Sequence, residues 1–300
     1  MFSKKGGKQA FYQMMAVPGV IFMIIFSFIP MYGILIAFKN YSVFDTIWSA
    51  PWVGFYYFRT FFNDPMFWTV IRNTLGINFF RIIIGFPLAI IVAIMINELT
   101  NLRFKKTVQT ISYLPYFISW VILGGMFRSW LSEIGLINNL LSDTNLATSP
   151  IPFLTEPNYY WAVAVISDIW KNLGWNTILY LAAMTSIDPT LYEAAKVDGA
   201  SKMQQIMHIT IPGMRNIIAL TLVLTASGLL GSNLDQTLIL QNPVNFQASE
   251  ILNSFVFRIG IQQGSFSYAT AVGIFVSIVS FILVIATNYL SKKIGDTDVF

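Results

Sequence analysis

EAAKVDGASKMQQIMHITIP, residues 193–212, is a polar stretch set between two long apolar runs. The chain around it has 300 residues, is 55% hydrophobic and 11% charged, and has mean hydropathy +0.64. Soluble domains carry roughly 25% charged residues, so this composition reads as an all-α polytopic membrane protein. The stretch itself reads as two short helices joined at a glycine. Asp188 suits the cap of the first, and Pro189 its opening position, where a missing N–H costs nothing. Gly199 suits the left-handed residue that ends it. Ser201 can cap a second helix running to about His208, and Pro212 separates that helix from the next apolar run. Met203, Ile206 and Met207 make one side apolar, while the other is small or charged. Such a surface can dock in a groove on a soluble partner. A solvated loop with a lipid-facing amphipathic helix would carry the same pattern.

A membrane span takes roughly 20 apolar residues. Six stretches meet that length: about 14–38, 74–96, 108–130, 161–184, 217–234 and 268–290. GSNLDQ blurs the outer end of the fifth, where a re-entrant segment after Asp235 would also fit. One side collects Lys4, Lys5, Lys8, Arg103, Lys105, Lys106, Lys196, Lys202, Arg215, Lys292 and Lys293. By the positive-inside rule that side is cytoplasmic. Both termini are then inside, and the 193–212 stretch is a cytoplasmic loop between spans four and five. The opposite side holds Lys39, Arg59 and Arg258, with an aromatic segment at 40–67 that suits an amphipathic helix at the bilayer interface. The basic N-terminus precedes an apolar run too long for a cleaved signal, with Pro18 and Pro30 inside it. The whole of 1–300 reads as one membrane domain, with a core at about 70–290 and the loop at 188–215. The net charge of +4 fits basic cytoplasmic loops and gives no reason to expect nucleic acid.

Ionisable residues inside spans mark functional candidates. SDIWKNLGW in the fourth span offers Asp168, Lys171, Asn172 and Trp175, on one helical stripe by their spacing. An aromatic ring beside polar groups suits stacking on a sugar and bonding to its hydroxyls. In the fifth span, Thr221, Thr225, Gly228, Ser232 and Asp235 recur at intervals of four and three and form a second stripe. The two stripes are read as lining a translocation path. The competing reading is an Asp168–Lys171 ion pair that merely stabilises the bundle, with small residues for close packing. Arg72 can snorkel near an outer interface, whereas Arg81 lies deeper and calls for a carboxylate or a cavity. Tyr113, Tyr116 and Trp120 read as packing.

No catalytic or metal constellation is expected. His208 is the single histidine and the chain has no cysteine, so no zinc set can form around it. Gly6–Lys8 lacks the rest of a P-loop. An ion-coupled secondary transporter of small polar solutes is the alternative class, but it should show matched broken helices in two halves, and no such symmetry is visible.

Glu193-Ala194-Ala195, Gly199 six positions after Glu193, and Ile209-Thr210-Ile211-Pro212 resemble the EAA loop of binding-protein-dependent ABC importer permeases, with Ile211 in place of the usual leucine. Asp198-Gly199-Ala200 resembles the common DGA form of that loop. PMYGILIAFKNY, YLPYFISW and IWKNLGWNTILYLAAM are similar to the LplB/YtcP-type branch of carbohydrate permeases, associated with complex oligosaccharides. The resemblance implies a type I ABC importer permease fold, with six transmembrane helices and cytoplasmic coupling helices. It implies ATPase-coupling roles for Glu193, Ala194, Ala195, Asp198, Gly199, Ala200, Ile209 and Pro212. By position, it also puts Asp168, Thr225 and Ser232 where maltose-type permeases contact sugar. The implied partners are a second homologous permease subunit, two ATP-binding cassette subunits that use ATP and Mg, and an extracytoplasmic solute-binding protein delivering an oligosaccharide. The implied setting is the bilayer of a bacterial plasma membrane.

Overall fold

The computed structural model describes residues 3–231 and 233–291. Ser232, Lys292 and Lys293, named above, lie outside the described residues. Among those described there is no strand beyond one isolated bridge, Lys39 to Trp52.

The helices in chain order are α1 (Ser3–Met23), prolonged by a π turn and a 3-10 segment to Phe38, and α2 (Tyr56–Phe62). α3 (Phe67–Phe80) runs through a π turn, Arg81–Gly85, into α4 (Phe86–Glu98). α5 (Leu102–Tyr113) and a 3-10 turn, Leu114–Phe117, precede α6 (Trp120–Trp130). Then come α7 (Leu136–Asp143), α8 (Pro157–Thr185), α9 (Pro189–Val197) and α10 (Lys202–Gln205). A further π turn, Ile206–Thr210, leads to α11 (Ile211–Gly213) and α12 (Arg215–Ser227). α13 (Leu234–Leu240), α14 (Phe246–Ser249), α15 (Leu252–Phe257) and α16 (Phe266–Ser291) complete the order.

Three helical runs are long and apolar enough to cross a membrane: Gln13–Phe38, Phe67–Glu98 and Phe266–Tyr289. Two bent pairs, Leu102–Phe117 with Trp120–Trp130 and Lys202–Gly213 with Arg215–Ser227, raise the number to five if each is one span. α8 has the length, at 29 residues, but carries Asp168, Lys171 and several asparagines. Among the described residues, length and composition alone therefore mark three to five spans.

Two expected spans are corrected. The third is not one straight helix: its halves meet at 99°. Pro115 removes a backbone donor, and the Ser119 side chain caps a fresh start at α6 by accepting from Ile122 N–H. The fifth does not run from 217 to 234, because α12 ends at Ser227 and the chain turns at Gly228. A third expectation also fails: Pro212 does not end the second loop helix. The π turn Ile206–Thr210 carries the helix past that proline to Gly213, and the 63° bend follows it.

The chain divides into two compact units. One holds residues up to Asn63 and Val256–Ile274. Inside it, buried Lys39 donates to the carbonyls of Ile47 and Trp48 at 2.7 and 3.2 Å, with the Trp52 ring beneath its ammonium. Only α2 is helical in the aromatic 40–62 segment; the rest is turns, with Phe44 and Trp48 left exposed.

The other unit holds Asp64–Phe255 and the chain from Phe275 onward. α8 is its axis. One core gathers Ile77, Tyr160, Val163, Ala164, Leu240 and Ile251 around the N-terminal half of that helix. A second gathers Ala89, Ala93, Ile96, Tyr180, Met184 and Met214 around its other half. Between them, α8 crosses α5 at Gly174, where a Cβ would fall onto the Ser112 carbonyl. Only glycine lets the two backbones come this close.

Candidate functional site

The polar loop after α8 is built from local capping. The Asp188 side chain accepts from Thr190 N–H at 2.9 Å, and the same bond holds the Asp188 carboxyl below its usual pKa. At the far end of α9, Gly199 adopts φ +76°. Ala200 N–H reaches Ala195 O at 2.8 Å and Gly199 N–H reaches Lys196 O at 3.1 Å, the paired closure of a Schellman motif. Ser201 and Gln204 then form a capping box for α10. Tyr192 and Thr210 hydroxyls meet at 3.0 Å and join α9 to the π turn. Lys202 pairs with Glu98 at 2.7 Å, tying α10 to the end of α4, although both groups are too exposed for the pair to count for much.

This construction leaves Glu193, Ala194, Asp198 and Gly199 exposed, with Ala195, Ala200 and Ile209 half-buried and Pro212 outward. It also leaves Leu191, Met203 and Met207 exposed, and Val197 at 89%. His208 is exposed, and its Nδ1 lies 3.0 Å from Gln204 O on its own helix. Replacing Ser201 by alanine should cost about 1 kcal/mol of local stability. Hydrogen exchange of the Lys202–Gln205 amides, roughly fivefold faster in the variant, would register that loss.

The second feature is a cavity of about 650 Å³ between α3–α4, α8 and α12. Asp168, Asn172, Trp175 and Thr225 all line it, as do Thr221 and Gly228. Two expected members do not. Lys171 turns away from the cavity wall and serves backbone carbonyls of the 115–118 turn. Asp235 sits on α13, beyond the Gly228 break, exposed and off the cavity wall. The stripe that placed it there assumed one continuous helix.

The Asp168–Lys171 pair of the competing reading does not form. Asp168 Oδ2 instead faces Arg81 Nε at 3.6 Å, and its Oδ1 accepts from Asn233 Nδ2 at 2.7 Å. Arg81 also donates to Asn78 Oδ1 at 3.3 Å and to Gln236 Oε1. Gln236 in turn donates to Ala164 O and Ser167 Oγ, both at 2.8 Å. Arg81 thus finds both the carboxylate and the cavity its depth called for, and the pair makes the lining formally neutral. Arg72 lies over the Trp161 ring at 5.4 Å. Asn78, Asn176 and Asn233 complete the polar wall. Sequence reasoning passed over them; their one signal was a lone amide inside or beside an apolar helix.

The family described as binding-protein-dependent transport system inner membrane component matches residues 85–296, which hold most of the cavity and all of the loop. The chain belongs to that family. The permease is 37% identical over 288 residues to Protein LplB of Bacillus subtilis (strain 168), covering 96% of this chain and 90% of that protein. It is 38% identical to the polygalacturonan/rhamnogalacturonan transport system permease protein YteP of the same organism, covering 98% and 91%. Among solved structures it is similar to a chain of the bacterial alginate ABC transporter in complex with alginate pentasaccharide-bound periplasmic protein. That match has TM-score 0.89, 35% identity and 99% coverage of each chain. This chain is therefore a multi-pass permease subunit of an ABC importer with the permease fold, not an enzyme. The ion-coupled alternative is not favoured.

Proposed function

We propose that this permease carries oligosaccharides across a bacterial plasma membrane, with six spans and both termini cytoplasmic. An extracytoplasmic solute-binding protein delivers the sugar. A second homologous permease subunit completes the path, and two ATP-binding cassette subunits, using ATP and Mg, supply the work through the 188–215 loop. The observation that carries the reading is the lining of the cavity. Trp175 offers a ring face, amides and hydroxyls surround it, and the Arg81–Asp168 pair leaves no net charge. Sugars present apolar CH faces and hydroxyl edges, which such a wall matches. Among the described residues Arg81 Nε has no hydrogen-bond partner, but it is buried and faces Asp168 Oδ2 at 3.6 Å, so the lining itself does not choose between neutral and uronic-acid sugars. The relatives named for polygalacturonan/rhamnogalacturonan and for alginate support the acidic class.

The deciding experiment is to purify the complex through a tag on this chain, identify the binding protein that accompanies it, and weigh the sugar that protein carries. An oligosaccharide, and uptake that stops when ATP is depleted, are expected; uptake that follows an ion gradient instead would sink the reading. Trp175→Ala should raise the half-saturating sugar concentration about tenfold, equivalent to about 1.4 kcal/mol of stacking. Uptake titrations of the two proteins would measure it.

A further inference from the structure

Pro115 has no N–H, and the 3-10 turn Leu114–Phe117 stops at extended Ile118. The helix ends there, so the carbonyls at this end lack the N–H groups of a following turn, although Pro115 O still accepts from Ile118 N–H at 3.2 Å. Lys171, on α8, donates from Nζ to three of them: Pro115 O at 3.3 Å, Tyr116 O at 2.7 Å and Ile118 O at 2.6 Å. An ammonium has three protons to give, and this one gives all three. The side chain lies in the interior at 7% exposure, with the Tyr116 and Trp120 rings 5.5 and 5.9 Å from Nζ. Tyr116 also stacks on Trp175, with centroids 4.3 Å apart and planes within 3°. Trp175 lies one helical turn beyond Lys171, is 42% exposed and lines the cavity.

We infer that Lys171 is a positioning residue that fixes the Tyr116 ring and, through it, the plane that Trp175 presents to the cavity. Its ammonium is fully committed to backbone oxygens, so it does not serve as a charge for the passing substrate. The break in the third span thereby becomes part of the cavity's furnishing: the carbonyls it frees anchor the lysine, and the ring beside them backs the tryptophan. The functional half of this inference rests on the cavity being the sugar path; the ring geometry does not.

The test uses the purified complex labelled with 5-fluorotryptophan, in which single Trp→Phe changes at Trp175, Trp48 and Trp52 identify those resonances among the eight of this chain and those of its partners. Lys171→Met should displace or broaden the Trp175 signal and leave those of Trp48 and Trp52 in place. Tyr116→Leu should do the same while sparing the lysine's bonds to the backbone, and it carries the test if Lys171→Met does not assemble. With labelled tri-galacturonate as probe, both variants should raise the half-saturating concentration about tenfold at nearly unchanged maximal rate. Adding Trp175→Ala to either should then cause little further loss. An unmoved Trp175 signal in both variants, or losses that simply add to those of Trp175→Ala, overturns the inference. A displaced signal with uptake untouched in all variants upholds the ring positioning and tells against the path reading instead.

Discussion

Replacing Gly199 by valine should abolish most transport, by tenfold or more, while the chain still enters the membrane and the ATPase subunits still turn over. Gly199 holds φ +76° with nothing within 4 Å of where a Cβ would stand, so the penalty is one of backbone conformation and not of space. An L-residue in that region costs roughly 1–2 kcal/mol, with a β-branched one at the upper end. The loop can shed that strain by opening the Ala200–Ala195 and Gly199–Lys196 closure. α9 would then swing about the Tyr192–Thr210 contact and present Glu193 and Val197 in the wrong direction. Glu193→Lys should act similarly by reversing a charge on the exposed face, without touching the fold. Asparagine tolerates the left-handed region, so Gly199→Asn should restore most of the transport lost in the valine variant. Uptake and ATP hydrolysis measured in the same vesicles decide the matter. If the ATPase subunits copurify and uptake is unchanged in both Gly199→Val and Glu193→Lys, the loop does not couple them.

Asp168→Ala is the second large effect, and it should strike assembly as well as uptake. The Arg81 and Asp168 side chains are only 12% and 16% exposed, and the two groups stand 3.6 Å apart. Removing one partner of a buried pair costs roughly 3–5 kcal/mol, because the other charge is left without compensation. Asp168 also receives Asn233, the residue that brings the chain back from the Gly228 turn toward α13. Its loss therefore loosens the wall on two sides. Asp168→Asn keeps the acceptor for Asn233 and should be milder. Arg81→Met with Asp168→Leu removes both charges together, and should recover the yield of complex but not the uptake. Complex yield and thermal aggregation temperature, read beside uptake, separate the two roles. A double variant that recovers neither yield nor heat resistance would show that the pair is not what holds this wall.

The loop was legible in the sequence as far as Gln205 because the capping devices in it are local. Asp188-Pro189, Gly199 and Ser201 each act on backbone groups within a few residues, so their spacing predicts the bent helix pair. The cavity was legible only where a residue's own helix decides which way it faces, as for Asp168, Asn172 and Trp175. Lys171 shares their stripe, yet its long side chain reaches carbonyls more than fifty positions away in the chain, and no periodicity reports that. Asp235 failed for another reason: the stripe was extended through GLLG, where two glycines end a helix that hydropathy alone would continue. The break at Pro115 and Ser119 was hidden in the same way, since the residues on both sides of it are apolar.

The Arg81–Asp168 pair also constrains the order in which this protein can be made. Arg81 lies near the middle of the Phe67–Glu98 helix, whose most apolar 18 residues average 2.6 in hydropathy, while its carboxylate arrives only with α8. A helix inserted as it is made would carry the cation into the bilayer unmatched, at about 2.5–3.5 kcal/mol for an arginine at mid-helix. The apolar run that follows it, residues 82–96, is what favours that early insertion. Asp168 and Lys171 meet the opposite circumstance: when α8 emerges, the arginine and the 115–118 carbonyls are already waiting for them. The second polar helix is thus received into a prepared place, and the charge that seemed most costly in the sequence is the one that prepares it.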